Sequence, residues 1–373
     1  MKLLGQGVLV SGEAGTARAC YTFPSVVALA DGTLLATARH GATKDGDDEA
    51  IAIFAERNDG QGWGPHPSLP PAPTLDGRTG TLKLVYLTET APGDLLAAAM
   101  WVDRSSFPSQ PLFNPETEGC LPMSILLAHS SDGGSTWTDW RRVDLPVDLG
   151  PPSLTSPIFR LGDGRLAMSI ETNKTYLDSG PWAQRAVLLT SSDEGATWSE
   201  PVIAAQDTTG RIFNWDLRVA AAPDGRLVSF AWTFDREAGE YRNIHRRISS
   251  DHGLTWTAPA DVGLADQAGR PAILADGRMV LAWVDRFGSR SIRARATGDV
   301  ASPLAADSEI FLHALEPAPV VSSDGTLAAA LADMDLWNYG LPSATALPNG
   351  EVIVVYYAGS STSMDIRWAR LAP

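Results

Sequence analysis

The chain has 373 residues, 44% hydrophobic and 20% charged, with a formal net charge of −15. That composition excludes a disordered or fibrous chain and is sufficient for a full apolar core. The acidic excess, unrelieved by any lysine- or arginine-rich run, repels phosphate backbones and anionic head groups, so neither nucleic acid nor a membrane is expected as a partner. Two cysteines, Cys20 and Cys120, are too few to staple a fold of this size and point to a reducing compartment. The first ten residues lack the long apolar run of a secretory leader, and no later stretch is long enough to span a membrane, so a cytoplasmic location is expected. No cofactor and no metal site is expected.

In chain order, residues 3–10 form a short apolar strand. Residues 24–39 follow as two apolar strands around Asp31-Gly32, then a weak turn at Arg57-Asn58-Asp59-Gly60-Gln61-Gly62-Trp63. The same hairpin signal recurs at 82–103 around Gly93-Asp94, 156–171 around Asp163-Gly164, 216–232 around Asp224-Gly225, 270–285 around Asp276-Gly277 and 342–357 around Asn349-Gly350. Between these lie three near-identical turns. They read Ser130-Ser131-Asp132-Gly133-Gly134-Ser135-Thr136-Trp137, Ser191-Ser192-Asp193-Glu194-Gly195-Ala196-Thr197-Trp198 and Ser249-Ser250-Asp251-His252-Gly253-Leu254-Thr255-Trp256. In such a turn the Asp accepts backbone N–H bonds, Gly takes the left-handed position and Trp covers the loop.

Six hairpins at a spacing of about 60 residues match four antiparallel strands per blade, with the Asp turn joining third strand to fourth. The expected fold is an all-β, six-bladed β-propeller, a single domain over residues 1–373. The strand at 366–371 lacks a fourth partner, which residues 3–10 supply, closing the ring and removing a free sheet edge. The segment 104–121 is too long and polar for a plain connection and is expected to wall one side of a pocket.

In its repeated turn sequence Ser-x-Asp-x-Gly-x-Thr-Trp the chain resembles the sialidase superfamily, whose six-bladed propellers carry this turn as the Asp box. The resemblance covers essentially the whole chain. It implies an arginine triad for a substrate carboxylate, a Tyr nucleophile assisted by a Glu, and an Asp acid/base. The family's Phe-Arg-Ile-Pro reads Tyr21-Thr22-Phe23-Pro24 here, so the first arginine is Thr22; the second falls on Trp232 and the third on Arg290. The acid/base Asp falls in Asp45-Gly46-Asp47-Asp48-Glu49, with Asp47 and Asp48 as the candidates. The Glu falls on Asp216, and the Tyr on Leu341, leaving only Tyr339 nearby as a stand-in. Losing two of three arginines removes the clamp that makes a carboxylate-bearing sugar bind, so ordinary N-acetylneuraminic acid is disfavoured as substrate.

Side chains at one mouth of a propeller come from loops leaving second strands and entering first strands. Leaving are Arg39, His40, Asp103, Glu171, Trp232 and Asp285; entering are Arg78, Trp215, Asp216, Arg218, Arg270 and Tyr339. Asp216 combines the family offset with a neighbouring Trp suited to a sugar face and a cation two residues on. Glu171 offers a second carboxyl, His40 a base. Asp103, Asp235 and Asp285 each precede an arginine and read more readily as a ring of salt bridges between blades than as site residues.

These residues point to an exo-acting glycoside hydrolase with a carbohydrate substrate. Asp47 or Asp48 would act as acid, and Asp216, Glu171 or Tyr339 would attack or activate water. The alternatives are a non-catalytic carbohydrate- or protein-binding propeller, a sialidase with displaced residues, and a lyase of uronate polymers. Two carboxyl groups beside an aromatic shelf favour hydrolysis; carboxylates all tied to arginines favour binding or structure.

Overall fold

The computed structural model describes residues 1–56, 62–314 and 337–373. The weak turn at Arg57-Asn58-Asp59-Gly60-Gln61 lies outside the described residues. Within them the chain is an all-β propeller of antiparallel sheets. Gly80–Ala91, Asp94–Asp103, Met123–Ser130 and Arg141–Arg142 form one sheet in sequence order. A second sheet sets Pro152–Leu154 and Phe159–Arg160 on Leu166–Thr172, then Arg185–Ser191 and Val202–Gln206. A third runs Ile212–Ala221, Leu227–Asp235, His245–Ser249, Ala260–Asp261, and a fourth sets Gln267–Ala268 and Ala272–Ile273 on Met279–Asp285, followed by Ser291–Thr297 and Ile310–Ala314.

The fifth sheet has eight strands, so the six sheets counted from the hairpins appear as five hydrogen-bonded ones. One half of it is Tyr339–Ala346, Val352–Gly359 and Met364–Ala372, with Lys2–Val10 antiparallel on the last. The other half is Cys20–Ala28, Leu34–Gly41, Ala50–Glu56 and Trp63–Pro65. A single parallel pairing, Cys20 with Met364, joins the halves, supported by the Met364 N–H donating to the Ala19 carbonyl at 2.9 Å.

The three Asp turns share their Asp, Ser and Thr contacts, and the first and third add an indole bond that Trp198 does not make. Asp132 accepts from the Thr136 N–H at 2.8 Å and its hydroxyl at 2.6 Å, the Gly134 N–H donates to Ser130 Oγ at 2.9 Å, and the Trp137 indole N–H donates to the Gly134 carbonyl at 3.0 Å. Asp193 and Asp251 repeat the contacts to Thr197 and Thr255. These bonds to the charged form draw all three carboxyls down to about 2. The turns connect third to fourth strands at the rim, so their work is structural.

What positions a site is a defect repeated near the axis. The register slips between Thr22 and Ser25, Leu82 and Leu84, Trp215 and Arg218, and Gly340 and Ser343. In the two remaining cases the inner strand is split into two short pieces. Bulges bend a strand and re-aim the extra residue, and here Phe23, Asp216 and Leu341 take left-handed φ values of 50°, 48° and 46°. Phe23, Lys83, Asp216 and Leu341 are thereby turned into one central cavity. Among the described residues no helix is long and apolar enough to cross a membrane.

Candidate active site

The cavity has a volume of about 420 Å³, within the usual size of a small-molecule site. Trp182, Trp215, Trp232, Trp337 and Phe113 line it, forming with Phe213 and Phe234 a buried aromatic cluster. The Trp215 and Trp232 rings lie 5.6 Å apart, and Trp232 and Trp337 5.5 Å apart. Pro111, Leu112 and Phe113 from the long 104–121 segment form part of the wall. The Leu112 N–H donates to Asp45 Oδ2 at 3.1 Å and Asn114 Nδ2 to the Tyr176 carbonyl at 2.9 Å, which ties this segment to its neighbours.

Two carboxyl groups share one side. Glu171, at the end of Leu166–Thr172, is buried and accepts the Leu217 N–H at 2.9 Å. Burial, then the nearby Asp216 carboxylate, push its carboxyl up to about 8. Asp216 stands on the bulge, 3.2 Å from the Arg218 guanidinium, and accepts from Gln267 Nε2. Gln267 in turn accepts from Arg286, which pairs with the buried Asp266 at 2.8 Å and lies 3.9 Å from the Trp337 ring. Asp266 also accepts the Trp232 indole N–H. A continuous polar chain thus runs from Asp216 to the aromatic wall and fixes it.

Opposite, Asp45 and Glu49 bind Lys83, each at 2.7 Å, and Arg104. Arg39 adds a third cation, 3.3 Å from Glu49. These cations outweigh burial and hold both carboxyls below the ordinary carboxylate range. Ionised and fully paired, Asp45 and Glu49 have no proton to give. Their role is to brace the wall and the 104–121 segment.

The structure brings Glu171, Trp215, Asp216 and Trp232 together on the cavity surface. Asp47 and Asp48 are exposed, and Asp48 accepts the Ala42 N–H at 2.7 Å; the inward residues of that acidic run are Asp45 and Glu49. His40 is near the Ala17 carbonyl at 3.2 Å and the Tyr21 ring, away from the cavity lining. Arg39 is wholly buried under the Glu49 cluster, and its Nη2 donates to the Thr43 carbonyl at 2.6 Å. Tyr339 is buried against His313, and burial pushes its hydroxyl up to about 12.

Arg78 is exposed and 3.6 Å from Asp103, which otherwise accepts from Ser105 and Ser106. Asp285 accepts from Gly288, Ser289 and Arg293, and Asp235 pairs with Arg211 and Arg242. These aspartates therefore bind partners within their own sheet or loop, not the ring between blades that their spacing allowed. Arg290 sits in a turn at φ 50° and is not in the cavity lining. Arg218 and Arg270 lie beneath the cavity floor. The lining also contains Lys83, Trp182, Gln267 and Arg286, of which Arg286 alone carries a sequence signal, as the residue after Asp285 at a second-strand exit.

No protein-family model matches the chain. A sialidase of Micromonospora viridifaciens is 26% identical over 357 residues, a match covering 79% of this chain and 53% of that protein. The chain thus spans about half the length of this curated relative. Among solved structures, a protein of unknown function from Dyadobacter fermentans DSM 18053 aligns with a TM-score of 0.71 at 20% identity, covering 99% of each chain. An alpha-L-arabinanase of Penicillium chrysogenum, complexed with arabinobiose, aligns with a TM-score of 0.65 at 15% identity, covering 100% of this chain and 99% of that one.

Proposed function

We propose that this chain, which belongs to the sialidase-like propeller superfamily, is an exo-acting glycoside hydrolase for an uncharged glycan terminus. We read its eight-stranded sheet as two blades, which makes a ring of six around the cavity. The observation that carries the functional reading is the pair Glu171 and Asp216 in an aromatic-walled pocket, the Glu171 carboxyl pushed up by burial and by its neighbour's charge. Glycoside cleavage needs one carboxyl protonated at working pH and a second, charged one within reach of the reacting carbon. Glu171 fits the acid: its proton passes to the leaving glycosidic oxygen. Asp216, aimed into the pocket by its bulge, fits the group that attacks the anomeric carbon or takes the proton of the incoming water.

The uncharged substrate follows from charge pairing. Arg286 and Lys83 in the lining each face a protein carboxylate, as does Arg218 beneath it, Lys44 donates to the Trp337 carbonyl at 2.7 Å, and Thr22 and Trp232 line the wall where the superfamily resemblance implies arginines. Such a lining favours stacking on a sugar ring over gripping a carboxylate. A pocket closed on one side by the 104–121 segment suits a chain end.

Aryl glycosides test this directly. The parent is expected to cleave a neutral one, such as an arabinofuranoside, and to leave an aryl sialoside intact. Glu171→Gln is expected to lower kcat by roughly 10²- to 10⁴-fold on a poor leaving group and far less on dinitrophenolate, which needs no proton. Asp216→Asn is expected to lose activity on both. Sialoside turnover at the faster rate refutes the neutral substrate; no turnover on any glycoside, with sugar binding retained, moves the protein to the binding class.

A further inference from the structure

Below the cavity floor the channel continues as a second, much smaller space of about 10 Å³, room for one particle of water or halide size. Phe23, Pro24, Pro157, Leu341 and Pro342 give it an apolar wall. Into that wall are set Arg218, Arg270, Tyr86 and Ser343. Arg218 is buried and already committed, to Asp216 at 3.2 Å and to Tyr86 Oη at 3.2 Å. Arg270 is different. Among the described residues no carboxylate forms an ion pair with it, its Nε is shut off from solvent without a hydrogen-bond partner, and burial draws its guanidinium down to about 10. Arg218 Nε and the Ser343 hydroxyl are likewise buried without partners.

The polar side chains facing this space have one property in common: they present protons. Two guanidinium groups have only donors, Tyr86 accepts from Arg218 and so has its own O–H to give, and Ser343 has an unused O–H. A water molecule there would find side-chain acceptors only in the Ser343 and Tyr86 hydroxyl oxygens, whereas an anion is served by every donor present and also neutralises a buried cation, whose isolation costs far more than that of a polar group. We infer that the axial channel beneath the candidate active site holds a small monovalent anion of halide size between Arg270, Arg218, Tyr86 and Ser343. It fixes the two arginines on which the inner bulges of separate sheets converge. The inference is independent of what reaction the upper cavity performs.

Bromide is the probe. Crystals of the full chain soaked in sodium bromide and measured at the bromine absorption edge are expected to show an anomalous peak between Arg270 and Tyr86. In solution, chloride, bromide and nitrate are expected to raise Tm saturably by roughly 2 °C or more over sulfate at matched ionic strength, and Arg270→Met is expected to abolish both peak and shift. Should that variant fail to fold, Ser343→Val with Tyr86→Phe is expected to weaken both. Bromide crystals without a peak in the channel overturn the inference, as does an equal response to all salts. A peak that survives Arg270→Met unchanged marks an adventitious ion only and overturns it too.

Discussion

A carboxyl shut away from water beside a second carboxylate is stable only while it keeps its proton, and Glu171 is so placed. Its ordinary value is 4.5, and burial with the Asp216 charge raises it to about 8 in the folded chain. A group raised on folding contributes fully below its unfolded value, and that contribution is lost as pH climbs through the folded value. Stability therefore falls between about pH 4.5 and pH 8 on account of this residue. Glu171→Gln keeps the shape, has no proton to lose, and is expected to gain on the parent by roughly 2 kcal/mol or more between pH 5 and pH 8. Denaturant unfolding of both proteins at the two pH values measures the difference; an unchanged gap means that Glu171 is charged throughout. Glu171 and Asp216 were legible because each lies at a fixed distance from a hairpin turn. Asp45 was not distinguishable from Asp47 and Asp48, since a Gly-containing loop has no period to say which carboxylates face inward.

Turns and bulges set where such side chains stand, and the two differ in how openly they are encoded. The Asp-Gly hairpin turns and the Asp-x-Gly turns are both written in residue type, because each calls for a left-handed residue, and their glycines differ in what surrounds them. Gly225, at φ 86°, faces open space, while a Cβ on Gly253, at φ 88°, would lie 2.2 Å from Leu188 Cδ2. Gly225→Ala is expected to cost about 1 kcal/mol, from backbone strain alone. Gly253→Ala must also displace Leu188 from the core, and is expected to cost clearly more, roughly 2 kcal/mol. Thermal unfolding of the pair gives the comparison; equal losses would mean that Leu188 turns aside freely. The inner bulges carry no comparable mark. Phe23, Asp216 and Leu341 adopt positive φ with ordinary side chains, held there by the converging sheets, so the wall they build was visible only in three dimensions.

At the scale of the whole molecule, the chain's first and last strands lie side by side. Lys2 pairs with Ala372 and Val10 with Ile366, and the Trp368 indole covers Gly5 and Gly7, where a Cβ on Gly7 would come within 3.0 Å of it. This pairing was readable in advance because the strand at 366–371 had no partner in its own repeat. The Cys20 to Met364 bridge that merges two four-stranded groups was not, since it depends on how closely two independently patterned sheets approach. Contacts this remote in sequence form late and at high loop entropy, yet without them Met364–Ala372 becomes an open edge ready to pair with another molecule. Deleting residues 1–10 is therefore expected to lower Tm by roughly 5 °C or more and to produce concentration-dependent association in light scattering. A synthetic peptide of residues 2–10 is expected to reverse both by refilling the edge. Were the truncated chain as stable and as monomeric as the parent, the terminal strand would be an ornament, and the fold would be held by its sheet-to-sheet packing alone.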